Sequence, residues 1–281
     1  LFAGVTAPAF QWSNFSENPL PNGWWGVLPA LPFAIWFYLA IEGVANIAEE
    51  AKNPQRDISR GFLYSIGTLV FLALLVFFTS IGVAGWEQIV YDPQTGETSD
   101  SPLPLALGFL LGTDHPLFHL LITVGLFGLI ASFHGILLVA GRATFEFGRA
   151  GYFPRVLGDI HPTRQTPVKA LIFNLCVGFV ALVSGKTSDI ITLSVFGALA
   201  LYIISMFALL KLRKSEPDLE RPYRAPGFPY IPYLALGLAL GCFVAVFYYN
   251  LTIGMIFLAI VGLAFAYFSQ RGDRQAEKAA S

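Results

Sequence analysis

A single carboxylate lies inside a long apolar run near the start of this chain. The run FAIWFYLAIEGVANIAEEAKNP covers residues 33–54 and places Glu42 well ahead of the charged cluster that begins at Glu49. Carboxylates are costly in hydrocarbon, so those inside membranes usually face a protein interior or a watery cavity. Two interpretations follow. Glu42 takes part in proton coupling or holds unwound backbone near a substrate, or it is a structural carboxylate bonded to a neighbouring helix.

Three aromatic residues precede this carboxylate by one to two helical turns. Trp36, Phe37 and Tyr38 offer ring faces of the kind that bind organic cations through cation–π contacts. The alternative is ordinary packing between helices, which uses the same side chains. Beside a buried carboxylate, the three rings make a cavity as reasonable an interpretation as packing.

Further polar groups occur in later apolar segments. His134 lies in the run ASFHGILLVAGR, where small neighbours permit close approach of helices. It is either a proton relay or a hydrogen-bonded packing residue. Ser194, Tyr202 and Ser205 offer hydroxyl groups to a cavity, although serine in a helix often only bonds its own backbone.

Motifs of soluble enzymes are missing from the sequence. There is no phosphate-binding glycine loop, no nucleophile elbow and no metal-ligand spacing. His115 and His119 have helical spacing, but no third ligand accompanies them. Cys176 and Cys242 lie in apolar blocks and are expected to pack against helices. We therefore predict a protein that is not an enzyme and has no cofactor and no metal.

The composition indicates an all-α, polytopic membrane protein. The chain is 55% hydrophobic and 12% charged, with a mean hydropathy of +0.63. Soluble domains are about 25% charged. Seven blocks have the length that a membrane-spanning helix needs. They cover residues 28–48, 61–85, 116–140, 168–184, 188–210, 229–249 and 251–269.

Basic residues set the expected orientation. If the first span runs inward, only Lys186 of the 17 lysine and arginine residues falls on the outer side. This asymmetry agrees with the positive-inside rule and places the start of the chain outside and its end in the cytoplasm. It also requires an even number of spans between residues 224 and 271, which supports a division into two spans at Asn250. The loops are predicted to carry an outer surface helix at 102–112 and an inner surface helix after the third span.

Two runs of the sequence resemble one family. WFYLAIEGVANIAEEAKNPQRDISRG is similar to the sixth helix and following loop of the amino acid–polyamine–organocation (APC) transporters. SFHGILLVAGRATFEFGRAGYFPRVLGDIHPTRQTPVKAL is similar to their eighth helix, inner loop and ninth helix. The resemblance implies a partial LeuT-like inverted-repeat fold with helices six to twelve and without the first five. Residues 1–215 would hold the second five-helix repeat, and residues 216–281 two peripheral helices and a cytoplasmic tail.

The resemblance also implies a set of site residues. The segment from Phe33 to Glu42 would be a broken helix that supplies half of a substrate site near the membrane midplane. Trp36 matches a gating aromatic residue, and Glu42 matches a glutamate of the inner gate and proton path. Ala40 stands where many members of the family have glycine. The substrate-binding positions implied are Phe33, Ile35, Trp36, Ala40, Ser132, Ile136, Ser194 and Tyr202, with Glu42 and His134 in gating or proton coupling.

The predicted function is secondary active transport across the plasma (cell inner) membrane. The sequence around Glu42 most resembles that of ethanolamine permeases. The expected substrate is therefore a small amine or amino acid, and ethanolamine is the first candidate. The expected partners are a coupling proton or an exchanged substrate and the lipid bilayer, and not nucleic acid. The alternatives are an amino acid permease of another specificity and a seven-helix receptor. Since the sequence starts at Leu1, we also expect further sequence upstream.

Overall fold

The computed structural model consists of helices joined by turns and loops. It describes residues 2–41, 43–46, 51–92, 95–99, 101–221 and 227–280, with the backbone alone at residues 46 and 270–280. Short 3-10 helices cover Ala7–Ala9, Trp12–Phe15, Trp24–Val27 and Arg155–Gly158. The α-helices are α1 (Phe2–Thr6), α2 (Leu31–Trp36), α3 (Gly43–Asn46), α4 (Pro54–Val90), α5 (Pro102–Leu111), α6 (Pro116–Arg149), α7 (Val168–Val183), α8 (Thr187–Ser215), α9 (Tyr230–Tyr249) and α10 (Leu251–Ala280).

The helices agree with the predicted all-α membrane fold. Among the described residues, α4, α6, α8, α9 and the part of α10 up to Ser269 are long and apolar enough to cross a membrane. The fourth predicted span coincides with α7, a shorter apolar helix of 16 residues. The first predicted span is interrupted between α2 and α3. The predicted outer helix at 102–112 is α5.

Local sequence explains where several helices begin. Proline is the first residue of α4, α5 and α6, where its fixed φ suits a helix and its missing N–H leaves no bond unmade. At α4 the carboxylate of Asp57 also accepts the N–H of Asn53 at 3.1 Å. A negative group there is favoured by the positive end of the helix dipole.

One boundary was predicted wrongly. The segment after the third span was expected to form a separate inner surface helix, but α6 continues without a break to Arg149. Nothing in the sequence between residues 140 and 149 interrupts the backbone ladder, because no proline occurs there. Gly151, two residues after the end of α6, has a left-handed φ of +81°, which glycine adopts without strain.

The chain forms two compact units. Leu1–Gly23 with Gly61–Ile136 make the first, and Trp24–Arg60 with Leu137–Ser281 make the second. The division at residue 215 between a repeat and two peripheral helices stays a prediction.

In the first unit, the start of the chain is bound to α4. At Gly85 the backbone has φ 74° and ψ 164°, which interrupts the helix and releases the carbonyl of Gly82 from its usual donor. This oxygen accepts the N–H of Gln11 and the side-chain amide of Asn14, both at 2.8 Å. A β-carbon at residue 82 would lie 2.2 Å from the ring of Phe10, so glycine permits the contact.

In the second unit, α8 and α9 pack side by side, and α2 and α10 pack against both. The core of this bundle is the cluster Val195, Phe196, Leu199 and Val246. The ring of Phe196 stacks on that of Phe257 with centroids 5.6 Å apart. Aromatic burial of this kind is a large stabilising term and fixes α10 beside α8.

The end of α6 is held to α7 by a polar contact and to the Arg155–Gly158 turn by a close backbone approach. The Asn174 amide donates to the buried hydroxyl of Thr144 at 2.8 Å and to the carbonyl of Ala170 at 2.9 Å. Gly148 lies directly against the backbone of Gly158. The loop after α6 is therefore folded back on the helix that precedes it.

Candidate substrate site at the interrupted helix

The most distinctive backbone feature of the second unit is the interruption between α2 and α3. After Trp36 the chain follows turns over residues 37–41, and a helix resumes at Gly43. Ala40 has a left-handed backbone with φ 69°. On either side of Ala40, hydrogen bonds join residues three apart in the sequence. The N–H of Leu39 donates to the carbonyl of Trp36, and the N–H of Gly43 donates to the carbonyl of Ala40, both at 3.0 Å. Among the described residues, the last four-residue bond before the break runs from the N–H of Phe37 to the carbonyl of Phe33.

The left-handed residue is an alanine, although glycine is the usual choice. An L-residue in this region costs about 1–2 kcal/mol because its β-carbon crowds the following carbonyl. Strained backbone positions of this kind cluster at functional sites. A break was expected between Phe33 and Glu42. Its left-handed residue is Ala40, at the position where many APC transporters have glycine.

The interruption leaves backbone groups without backbone partners. Within the described part of the chain, no backbone hydrogen bond involves the N–H groups of Ala40 and Ile41 or the carbonyl oxygen of Phe37. Such groups are costly to bury unpaired, so they need a ligand, water or another segment. A carbonyl can accept from an ammonium group, and amide N–H groups can donate to a carboxylate.

The side chains of the broken segment divide between two faces. Phe33 and Trp36 are about half exposed, at 49% and 48%. Ile35 packs against the core cluster of α8 and α9 together with Leu31 and Leu39. Of the predicted substrate-binding residues on α2, Phe33 and Trp36 therefore remain available to a ligand, whereas Ile35 contributes to packing.

The three α8 residues predicted to offer hydroxyl groups have different surroundings, and Ser205 lines a cavity between the α2 segment, α8 and α9. Ser194 is exposed, and its hydroxyl donates to the carbonyl of Ile190 at 2.8 Å, which is the local alternative considered for serine. Tyr202 and Ile35 both line the cavity between the α2 segment, α8 and α9. The structure therefore brings Ile35 and Tyr202 together but leaves Ser194 outside this lining.

The cavity has a volume of about 510 Å³ and lies between the α2 segment, α8 and α9. Sequence reasoning did not identify the contribution of α9, although Ala235 and Ala239 are small residues at helical spacing. The lining consists of Ala34, Ile35, Tyr38, Leu199, Tyr202, Ser205, Met206, Ala235, Leu238, Ala239 and Cys242.

The predicted residues of α6 belong to the first unit. Ser132, His134 and Ile136 are all exposed within that unit. The Nδ1 atom of His134 lies 2.9 Å from the carbonyl oxygen of Ile130. A carbonyl oxygen can only accept, so this contact is a hydrogen bond in the tautomer that carries a proton on Nδ1. This arrangement is compatible with both a relay and a packing role.

Glu42, the carboxylate predicted to act in gating, lies outside the described residues. Its proposed part in proton coupling stays a prediction from the sequence, as do the roles of the other positions.

Comparison with known proteins gives a consistent result. The amino acid permease family matches residues 1–270. An uncharacterized transporter of Rhizobium meliloti (strain 1021) is 29% identical over 280 residues, covering 96% of this chain and 58% of the relative. The branched-chain amino acid permease of Bacillus subtilis (strain 168) is 26% identical over 249 residues, covering 83% and 48%. The serine/threonine exchanger of the same organism is 25% identical over 197 residues, covering 69% and 43%. The chain spans about half the length of the curated relatives it matches.

Proposed function

The chain belongs to the amino acid permease family, and we propose that its native protein is a secondary active transporter that works by alternating access. The interruption between α2 and α3, with its left-handed Ala40, is the observation that carries this proposal. In secondary transporters, broken helices place free backbone groups beside the substrate near the membrane midplane. Family membership also favours transport over a seven-helix receptor.

We propose ethanolamine as the substrate. Its ammonium group would donate to backbone carbonyls such as that of Phe37, and the exposed ring of Trp36 would offer a π-face to the same cation. Ethanolamine has no carboxylate and so needs no anion-binding partner. The resemblance of the sequence around Glu42 to ethanolamine permeases supports the same choice.

A neutral amino acid is the second candidate. The N–H groups of Ala40 and Ile41 have no backbone partner among the described residues and would suit a substrate carboxylate. The relatives named a branched-chain amino acid permease and a serine/threonine exchanger favour this alternative. Both candidates use the same broken helix, so only a substrate competition separates them.

We propose that the protein lies in the plasma membrane with the start of this chain outside and its end in the cytoplasm. The supporting observation is the clustering of basic residues in the segments that would face the cytoplasm. Either proton coupling or exchange for internal substrate would drive uptake.

The decisive experiment measures uptake by the protein expressed from its native gene, at the full length that the gene encodes. The purified protein is reconstituted in liposomes and supplied with radiolabelled ethanolamine under an inward proton gradient. We expect saturable uptake that excess unlabelled ethanolamine abolishes and that alanine, serine and leucine leave unchanged. Competition by one of these amino acids would instead support the amino acid candidate. Ethanolamine, alanine, serine and leucine are then each supplied in radiolabelled form, with and without the same compound inside the liposomes. If none of the four is taken up, the transport proposal is contradicted.

We predict that Glu42→Gln removes the dependence of uptake on the proton gradient. Glutamine keeps the size of the side chain but cannot gain and lose a proton. Any transport that remains should therefore be equal with and without the inward proton gradient. The matched control is Glu146→Gln on α6, because the exposed Glu146 carboxylate only pairs with Arg149 at 3.2 Å. Surface pairs of this kind contribute less than about 1 kcal/mol. Unchanged pH-dependent uptake in Glu42→Gln would rule out its protonation role.

A further inference from the structure

Among the described residues, the lining of the cavity beside the broken helix is uncharged. The polar side-chain atoms of these residues are the hydroxyl groups of Tyr38, Tyr202 and Ser205, and their other side chains are apolar or carry sulfur. An ammonium or carboxylate group placed there would lose its hydration without a countercharge from these residues. The cavity therefore does not suit a charged amine or a zwitterion, and it favours an uncharged, apolar ligand.

Small residues in the sequence create this space. Ala34 on α2 and the pair Ala235 and Ala239 on α9 stand where larger side chains would fill the volume. The two alanines of α9 are four residues apart and so share one face of the helix. A volume of about 510 Å³ falls within the range of pockets that hold small organic molecules.

The position of the cavity identifies the occupant. Two of its walls, α8 and α9, are long and apolar enough to cross the membrane. Leu238, a lining residue, is 61% exposed, so the cavity is open on the outward side of α9. At this depth the surrounding solvent is lipid hydrocarbon, which is itself as apolar as leucine. An empty apolar cavity forfeits the dispersion contacts that a hydrocarbon chain would restore.

We propose that this cavity binds one hydrocarbon chain of a membrane lipid. The bound chain would contact Ile35 and Tyr38 and hold the α2 segment against α8 and α9. Because Tyr38 is two residues from the left-handed Ala40, the lipid would also restrict how the broken helix moves. This last step rests on the proposed transport function, whereas lipid binding itself does not.

The binding test uses photo-crosslinking. The native protein is placed in nanodiscs of phosphatidylethanolamine that carry a diazirine on one acyl chain, then irradiated and mapped by mass spectrometry. We expect crosslinks at the lining residues of α8 and α9. The cavity-filling variants Ala235→Phe and Ala239→Phe should each reduce them about tenfold, a difference that is easily measured. The control, Val244→Phe, adds the same ring to a residue of α9 that is 67% exposed and outside the lining.

The outcomes separate the two proposals. Crosslinks spread evenly along α9 and unaffected by either filling variant would overturn the lipid site. Their absence from the cavity would also overturn it, because another segment of the native protein would then fill the space. Gel filtration and circular dichroism identify a variant that fails to fold, and the second filling variant then decides. Crosslinks in the cavity without any uptake would retain the lipid site and refute the transport function.

Discussion

Gly148→Ala is expected to destabilise the protein by about 3 kcal/mol, at the upper end of the cost of overpacking. A β-carbon at residue 148 would lie 2.4 Å from the amide nitrogen of Gly158 and 2.8 Å from the carbonyl carbon of Leu157. Both neighbours are backbone atoms, so no change of rotamer relieves the clash. The end of α6 would have to separate from the turn at Arg155–Gly158, which leads into α7.

A second glycine of the same helix supplies the control. Gly125 has no atom within 4 Å of the position its β-carbon would take. Gly125→Ala should therefore be neutral or stabilise by up to about 1 kcal/mol, because alanine is the better helix former. Thermal unfolding followed by fluorescence-detected gel filtration measures both variants. Equal midpoints for Gly148→Ala and the wild-type protein would show that the two backbones do not touch.

The separation of α9 from α10 shows how much of the fold the sequence could predict. The distribution of lysine and arginine between the two predicted sides of the membrane supported a turn at Asn250. The two helices are divided there. The N–H and the side-chain amide of Asn250 both donate to the carbonyl of Val246, at 2.9 and 3.1 Å. Hydropathy and charge placement depend on chain segments alone, so they predict spans well without knowledge of packing.

Contacts between distant segments could not be predicted in the same way. The approach of Gly148 to Gly158 depends on how the loop between α6 and α7 folds back. The sequence alone does not show which distant residue a glycine will contact. The two faces of α2 are a similar case. Ile35 and Trp36 are adjacent apolar residues in the sequence, but helical geometry turns them about 100° apart, and only packing decides which one meets α8.

The break in the helix and the neighbouring cavity were predicted less completely than the spans. Similarity to a family located the break, whereas composition would have favoured a continuous helix, because alanine is the strongest helix former. The cavity wall supplied by α9 was missed, since its alanines carry no chemical signal. Polar groups in apolar segments are visible in a sequence, but empty space between helices is not.

The left-handed backbone of Ala40 leads to the prediction that bears most directly on transport. Ala40→Gly should stabilise the protein by about 1 kcal/mol, because glycine adopts a positive φ without a β-carbon clash. Ala40→Val should destabilise it by about 2 kcal/mol, since a β-branched residue is strongly disfavoured at a φ of 69°. If the broken conformation is required for substrate binding, valine should also lower the initial rate of uptake about tenfold or more, which corresponds to 1.4 kcal/mol.

The same substitutions at Ala45 make a matched control with the opposite sign. Ala45 is exposed and helical in α3, five residues further along the same segment. There glycine should destabilise by about 1 kcal/mol and valine by less than that, following helix propensity alone. Thermal midpoints and uptake rates of the four variants test whether the order of glycine and valine reverses between the two positions. The same order at both would mean that residue 40 is helical in the native protein, and the broken-helix site would then be lost. A reversal in stability with unchanged uptake would keep the break but separate it from substrate binding.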